Sequence, residues 1–226
     1  MQAAHIYPSA NFNGRYSPVD MIVLHYTGMK TGQEALDRLC NPAAAVSTHY
    51  LIFENGDIYN LVEEEFRAWH AGLSQWRGIP DVNSRSIGIE IVNPGHEFGY
   101  VPFTAEQIQS VIDLCRDIMT RHHIPAGNIL GHSDVAPARK SDPGELFPWK
   151  TLAENHIGLW TDAFAVPRQS VGEMLDAIGY DTADELSALT AFQRHFYPEA
   201  LLDKGEKTIE RLAAVSRLYK EKGQTE

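Results

Sequence analysis

The chain has 226 residues, 43% of them hydrophobic and 22% charged, with a net charge of −11 and a pI near 5.3. This balance is that of a globular protein rather than a disordered one, and its acidity argues against nucleic acid, whose phosphates demand cationic contacts. No run of about 18 apolar residues occurs, so no segment is expected to span a membrane.

The first residues, through Tyr16, lack a basic start followed by an apolar run, so they do not read as a secretory signal. A cytoplasmic location is expected, or a periplasmic one if the chain begins at a mature terminus. Residues 1–19 are polar and turn-rich. Met21-Ile-Val-Leu24 is then a short apolar run, the mark of a strand buried on both faces, and His25 closes it. Thr31-Gly-Gln-Glu34 is a capping-box pattern that starts a short helix with Ala35, Leu36 and Leu39 on one side. Two β-rich runs, 48–53 and 57–62, flank Asn55-Gly56, a strong hairpin signal because both turn positions tolerate positive φ. Residues 86–92 form another strand, ended by Asn93-Pro-Gly95.

Thr104-Ala-Glu-Gln107 caps the clearest helix, whose apolar stripe is Ile108, Val111, Ile112, Cys115, Ile118 and Met119. It ends near Arg121-His-His123, where the two histidines suit a helix C-terminus. Ile129-Leu130 leads to Gly131-His132 and a loop rich in Pro, Gly, Asp and Ser. Three more helical patterns follow: one opened by Ser170-Val-Gly-Glu173, then 185–196 and 207–219. The two cysteines, Cys40 and Cys115, read as ordinary small residues without metal or disulfide spacing. The expected fold is α/β, a central mixed β-sheet flanked by helices, with a small C-terminal three-helix module. Its domains are 1–160 and 165–226, the second docked on the first because it is near the lower limit of independent stability.

His25, His132 and Asp142 each lie at a strand end or in the loop after one, where distant segments converge. Two imidazoles and a carboxylate suit a catalytic zinc, which takes three protein ligands and keeps a fourth position for water. With ten histidines in the chain, spacing alone makes this triple a weak signal.

The surrounding residues supply the rest. Ile22-Val-Leu-His-Tyr-Thr27, Val46-Ser-Thr-His-Tyr-Leu-Ile52, Ala68-Trp-His-Ala-Gly72, Asn83-Ser-Arg-Ser-Ile-Gly-Ile-Glu90 and 131–144 follow one another in order. Together they make residues 20–150 resemble the type 2 N-acetylmuramoyl-L-alanine amidases, relatives of peptidoglycan recognition proteins and phage amidase lysozymes. Ala191-Phe-Gln-Arg-His-Phe196 more faintly resembles the helical peptidoglycan-binding module often appended to them.

The resemblance implies zinc held by His25, His132 and Asp142, with Glu90 as catalytic acid–base and Lys140 steadying the oxyanion. Some relatives carry a tyrosine where this chain has Thr48. Trp69, His70, Arg85, Arg139 and His49 are candidates for substrate contact; Arg85 could instead pair with Glu90, and His49 is read first as a buried strand histidine, with substrate contact second. Asp134 is read as capping the turn after His132. The implied reaction is hydrolysis of the amide between N-acetylmuramic acid, in its 1,6-anhydro form, and L-alanine. The lack of a signal segment and the acidic charge favour soluble muropeptides and cell-wall recycling, with periplasmic action on intact peptidoglycan as the alternative, and the chain is expected to be monomeric. Two other readings stay open: a noncatalytic peptidoglycan-binding module, and a structural zinc domain, which would need a fourth protein ligand.

Overall fold

In a computed structural model, residues 5–222 are described. The strands are β1 (His5–Ile6), β2 (Phe12–Gly14), β3 (Met21–Tyr26), β4 (Tyr50–Ile52), β5 (Ile58–Asn60), β6 (Phe66–Ala68), β7 (Gln75–Trp76), β8 (Ile79–Pro80), β9 (Ser86–Ile91) and β10 (Ile129–Gly131). The helices are α1 (Gly32–Cys40), α2 (Val82–Arg85), α3 (Gly95–Phe98), α4 (Ala105–His122), α5 (His132–Val135), α6 (Trp149–Glu154), α7 (Val171–Ile178), α8 (Glu185–Phe196) and α9 (Glu206–Lys222).

Among the described residues the main sheet has six strands in the order β1-β5-β4-β9-β3-β10. β4, β9, β3 and β10 run parallel, while β5 returns antiparallel to β4. The sheet is therefore mixed, as its hydrophobic patterns predict. The β4–β5 turn carries Gly56 at φ 85°, and a Cβ there would lie 3.0 Å from the Glu106 carbonyl oxygen. Only glycine suits both demands.

Side chains alternate across a strand, and here the alternation assigns each face a different cover. Ile22 and Leu24 of β3 join Ile87, Ile89 and Ile91 of β9 against Val111, Ile112, Cys115 and Ile118 of α4. Thr104 and Gln107 close the capping box of α4, and His123 ends it in the left-handed region at φ 54°. On the opposite face Met21, Val23 and Leu130 pack with Trp76 and Val82. That same cluster takes in Met174, Leu175 and Ile178 of α7, Phe192 and Phe196 of α8, and Leu212 and Val215 of α9. The C-terminal helices thus form a third layer on the sheet, continuous with its core. A cluster of some twenty buried side chains contributes far more than caps and turns, since each apolar side chain buried is worth about 1.5–3 kcal/mol.

Two half-buried side chains, an arginine and a carboxylate, tie the edges. The Arg15 guanidinium donates to the carbonyls of Glu64 (2.7 Å), Ser84 (3.0 Å) and Ser86 (3.0 Å), pinning the N-terminal segment to the α2–β9 junction. Glu64 accepts from the Tyr50 hydroxyl (2.8 Å), from His122 (2.7 Å) and from Arg121, joining β4 to the end of α4. Burial alone would raise the Glu64 pKa, but the hydrogen bonds from Arg121, His122 and Tyr50 outweigh it and bring it down to about 2. A carboxylate lowered on folding stabilises above its unfolded pKa and loses that contribution as pH falls through the folded value. Acid unfolding should therefore steepen between about pH 4.5 and 2 in the wild type. Glu64→Gln should lower the neutral-pH stability by roughly 1–2 kcal/mol and flatten that acid limb, as read by urea melts across pH.

Candidate metal centre and active-site cleft

The parallel strands β3, β9 and β10 all end at one edge of the sheet, where α/β proteins place their ligands. His25 is the fifth residue of β3 and lies opposite Glu90 of β9 in register. His132 follows β10 directly as the first residue of α5. The loop beyond α5 folds back so that the Ser133 N–H donates to the Asp142 carbonyl oxygen at 2.9 Å. These connections bring together His25 Nδ1, His132 Nδ1 and Asp142 Oδ2, each 3.0 Å from the other two. All three residues are buried.

Where the ring protons sit decides what such a cluster can hold. A carbonyl oxygen only accepts, so His132 Nε2 must donate to Ala71 O at 3.0 Å, which leaves its Nδ1 as a bare lone pair. The Ser86 hydroxyl donates to Val82 O (2.7 Å) and therefore accepts from His70 Nε2–H (3.1 Å). His70 Nδ1 is then an acceptor and takes the His25 Nε2–H at 3.0 Å. His25 Nδ1 is thereby also a bare lone pair. Two imidazole lone pairs and a carboxylate oxygen converge with no proton to share, an arrangement that only a cation reconciles. Tetrahedral bonds of about 2.0–2.1 Å put donor atoms roughly 3.3 Å apart, close to the spacing seen, so the residues fit a zinc-sized ion with an open fourth position.

The titration behaviour agrees. Burial, and then the neighbouring His132, lower the His25 pKa to about 4. Burial and then His25 hold His70 well below the ordinary imidazole value. Burial would raise Asp142, but His132 and His25 outweigh it and keep it well below the usual carboxylate range. The neutral imidazoles and the ionised carboxylate are the forms that bind metal.

His132 and Asp142 line a cleft of about 820 Å³, with His25 buried behind them, and its lining also includes Trp69, His70, Glu90, Arg139 and Lys140. Burial, with Asp142 adding to it, pushes the Glu90 carboxyl well above its ordinary value, against the opposing pull of Lys140. Its Oε2 is buried and has no hydrogen-bond partner among the described residues. A carboxylate in that condition is poised to exchange a proton with whatever enters.

Residues 15–145 match the protein family described as N-acetylmuramoyl-L-alanine amidase. The N-acetylmuramoyl-L-alanine amidase AmiD of Escherichia coli K12 is 37% identical over 92% of this chain and 85% of its own length. This chain belongs to that amidase family. The amidase is also 35% identical to the 1,6-anhydro-N-acetylmuramyl-L-alanine amidase AmpD of Haemophilus influenzae, over 63% of this chain and 86% of the relative. Among solved structures it is similar to E. coli AmiD in complex with the substrate anhydro-N-acetylmuramic acid-L-Ala-D-gamma-Glu-L-Lys. That likeness has a TM-score of 0.78 at 34% identity, over 94% of this chain and 93% of the other. AmpDh3 of Pseudomonas aeruginosa in complex with anhydromuramic pentapeptide matches at a TM-score of 0.78 and 34% identity, over 90% and 92% of the two chains.

Two sequence-derived candidates for substrate contact lie elsewhere in the amidase. Arg85 does not line the cleft; its guanidinium is buried and pairs with Asp20 at 2.6 Å, not with Glu90, because α2 turns it toward the opposite end of β9. His49 is fully buried: its Nδ1 accepts the Gly88 N–H (2.9 Å), and Nε2 faces Phe66 O (3.1 Å) with Arg15 alongside. His49 is thus the buried strand histidine read first from the sequence, and not a substrate contact. His70 reaches the cleft floor, yet both its ring nitrogens are committed to His25 and Ser86. Arg139 lines the cleft while donating to the carbonyls of Leu73 and Ala71, so it stiffens the loop that receives the His132 proton. Trp69 lines the cleft with its indole N–H on Asn13 Oδ1 (2.9 Å). Thr48 donates to Gly88 O (2.8 Å) from a fully buried position.

Sequence reasoning missed Asn83, whose Oδ1 accepts the N–H groups of His70 (3.0 Å) and Ala71 (2.8 Å) and so aims both outer partners of the histidine ligands. It opens one of the family-like motifs, but nothing local in the sequence marks its role as acceptor. It also missed a rim chain in which His96 bridges Glu145 (3.1 Å) and the Tyr26 hydroxyl (2.9 Å).

Gly88 is bare because the His70 ring lies on it: an added Cβ would meet the ring at 2.5 Å. Gly88→Ala should push that imidazole off His25 and weaken zinc binding by about 10–100-fold in chelator competition. Gly14→Ala, with nothing within 4 Å of its Cβ, should leave the affinity unchanged.

Proposed function

We propose that this chain hydrolyses the amide between 1,6-anhydro-N-acetylmuramic acid and L-alanine in soluble peptidoglycan fragments, with zinc as its cofactor, as a step of cell-wall recycling. The observation that carries the reading is the convergence of three proton-free donor atoms, two of them on residues that line the same cleft as Glu90 and Lys140. The anhydro-muramyl peptides named in the AmiD and AmpDh3 complexes support the sugar form. The cleft volume is that of a small-ligand site. Lys30, Arg38, Arg139 and Lys140 line it beside Glu34, Glu90, Glu97 and Asp142, so its local charge is balanced although the chain carries −11. A stem peptide with carboxylates is accommodated there, while the overall acidity disfavours an anionic wall polymer.

His25, His132 and Asp142 would hold the zinc, and a nitrogen–nitrogen–oxygen donor set is one that zinc accepts. Bound there, the ion supplies Lewis acidity, making water a nucleophile at neutral pH and polarising the scissile carbonyl. Glu90 takes the proton of the attacking water and returns it to the departing L-alanine nitrogen, a task suited to a carboxyl that burial holds well above its ordinary pKa. Lys140, exposed at the cleft edge, brings its ammonium to the developing oxyanion, a contact worth about 2.7–4 kcal/mol where such donors have been removed. Trp69 offers an apolar face to sugar or peptide. No serine or cysteine nucleophile is needed: Cys115 is buried in the α4 core, and Cys40 lies half-buried at the end of α1.

A second reading, hydrolysis of intact peptidoglycan in the periplasm, is favoured by the C-terminal helices, which resemble a wall-binding module. Rates of peptide release from anhydro-muropeptide and from intact sacculi separate the two. Faster release from sacculi would reverse the preference.

Three variants test the chemistry. Glu90→Ala should keep its zinc and lose turnover by about 10²–10⁴-fold. His25→Ala should lose both metal and turnover, as read by metal content and product release. Lys140→Ala should depress kcat by about 10²–10³-fold with little change in KM. An effect on KM alone would reassign Lys140 to substrate binding.

A further inference from the structure

We propose that the C-terminal helices brace the metal site, with Tyr180 and His195 acting through the buried carboxylate of Asp134 as positioning residues for His132 and Asp142. The proposal rests on reading His25, His132 and Asp142 as metal ligands.

Asp134 is fully buried, two residues beyond His132 in α5. A buried carboxylate is costly unless hydrogen bonds saturate it. Three donors do so here. The Gly131 N–H reaches Oδ2 at 2.7 Å, the Tyr180 hydroxyl reaches Oδ1 at 2.7 Å, and His195 Nδ1–H reaches Oδ2 at 2.7 Å. The first bond caps the turn that presents His132. The other two come from the C-terminal layer, Tyr180 just after α7 and His195 within α8. Removing those donors would leave the carboxylate underpaired in an apolar surround. It would then turn toward water and release the Gly131 N–H, and with it the backbone that aims His132.

The same cluster stands behind Asp142. The His195 ring stacks on Trp149 with centroids 3.7 Å apart and planes 16° from parallel. Trp149 and Pro143 close over Gly131 so tightly that a Cβ there would lie 3.2 Å from the indole and 2.7 Å from the proline ring. Pro143 is the residue after Asp142. Two of the three ligands therefore sit on a platform whose far side is built from α7 and α8. His25 needs no such brace, because β3 holds it between β9 and β10.

The test uses the full-length chain carrying Tyr180→Phe and His195→Gln, singly and together. Val215→Ala serves as control: it loosens the same apolar cluster from α9 without touching Asp134. The readouts are the zinc dissociation constant by chelator competition, the visible absorption of the cobalt-substituted protein, KM and kcat, and the thermal midpoint. The double variant is expected to weaken zinc binding about 10–100-fold and to alter the cobalt spectrum, with KM little changed. Val215→Ala should lower the midpoint and leave zinc affinity intact. Wild-type affinity and spectrum in the double variant would overturn the brace, as would an equal loss of affinity in Val215→Ala. Should the double variant not fold, Tyr180→Phe alone decides, since it removes a single hydroxyl. If the wild type takes up no zinc, or His132→Ala binds it as tightly, the ligand reading itself falls, and the brace with it.

Discussion

Three lone pairs are made to face one another, and most of the molecule's irregular structure exists to make that tolerable. Each imidazole gives its proton away on the side remote from the cluster: His132 to the Ala71 carbonyl, His25 to His70 and through it to Ser86. Neither ring is then able to relieve the repulsion by donating to its neighbour. The cost falls due in the metal-free protein and is recovered when a cation binds, which is how a folded scaffold converts its own stability into affinity. Asn83 and Arg139 act one step further out, fixing the backbone of residues 70 to 73 so that the acceptors cannot drift.

The sheet makes this possible by treating its two faces differently. On β9 isoleucines 87, 89 and 91 all go to the α4 side, leaving Ser86, Gly88 and Glu90 on the other. Those three residues are an acceptor for the relay, a gap for an imidazole, and the acid–base candidate. β3 runs alongside in register, with Met21 and Val23 in the apolar cluster and His25 opposite Glu90. One face of a single strand pair therefore passes from packed core to reactive site within three alternate positions.

Much of this could be read from the amino-acid order. The alternation in Ser86-Ile-Gly-Ile-Glu-Ile91 announces a two-faced strand, Asn55-Gly56 announces the hairpin, and Thr104 with Gln107 announces the start of α4. The candidate metal donors His25 and His132 follow apolar runs, but it was the family-like motifs around them and Asp142 that singled out the triple. Side-chain direction was less accessible. Arg85 and His49 lie within family-like motifs yet point away from the cleft, because α2 and the Arg15 contacts, both non-local, decide their orientation. Asn83, Tyr180 and His195 were invisible for a related reason. Their partners lie 12 to 61 positions away, and only the folded chain brings them together.

Gly88 and His70 share a single volume. The absent side chain on β9 is the berth of the imidazole, and the berth is only as deep as a missing methyl group. Even an alanine on the strand would force the ring above it to move and leave the His25 proton in need of another acceptor. The two positions are eighteen apart in sequence, yet a Cβ on the strand would stand 2.5 Å from the ring.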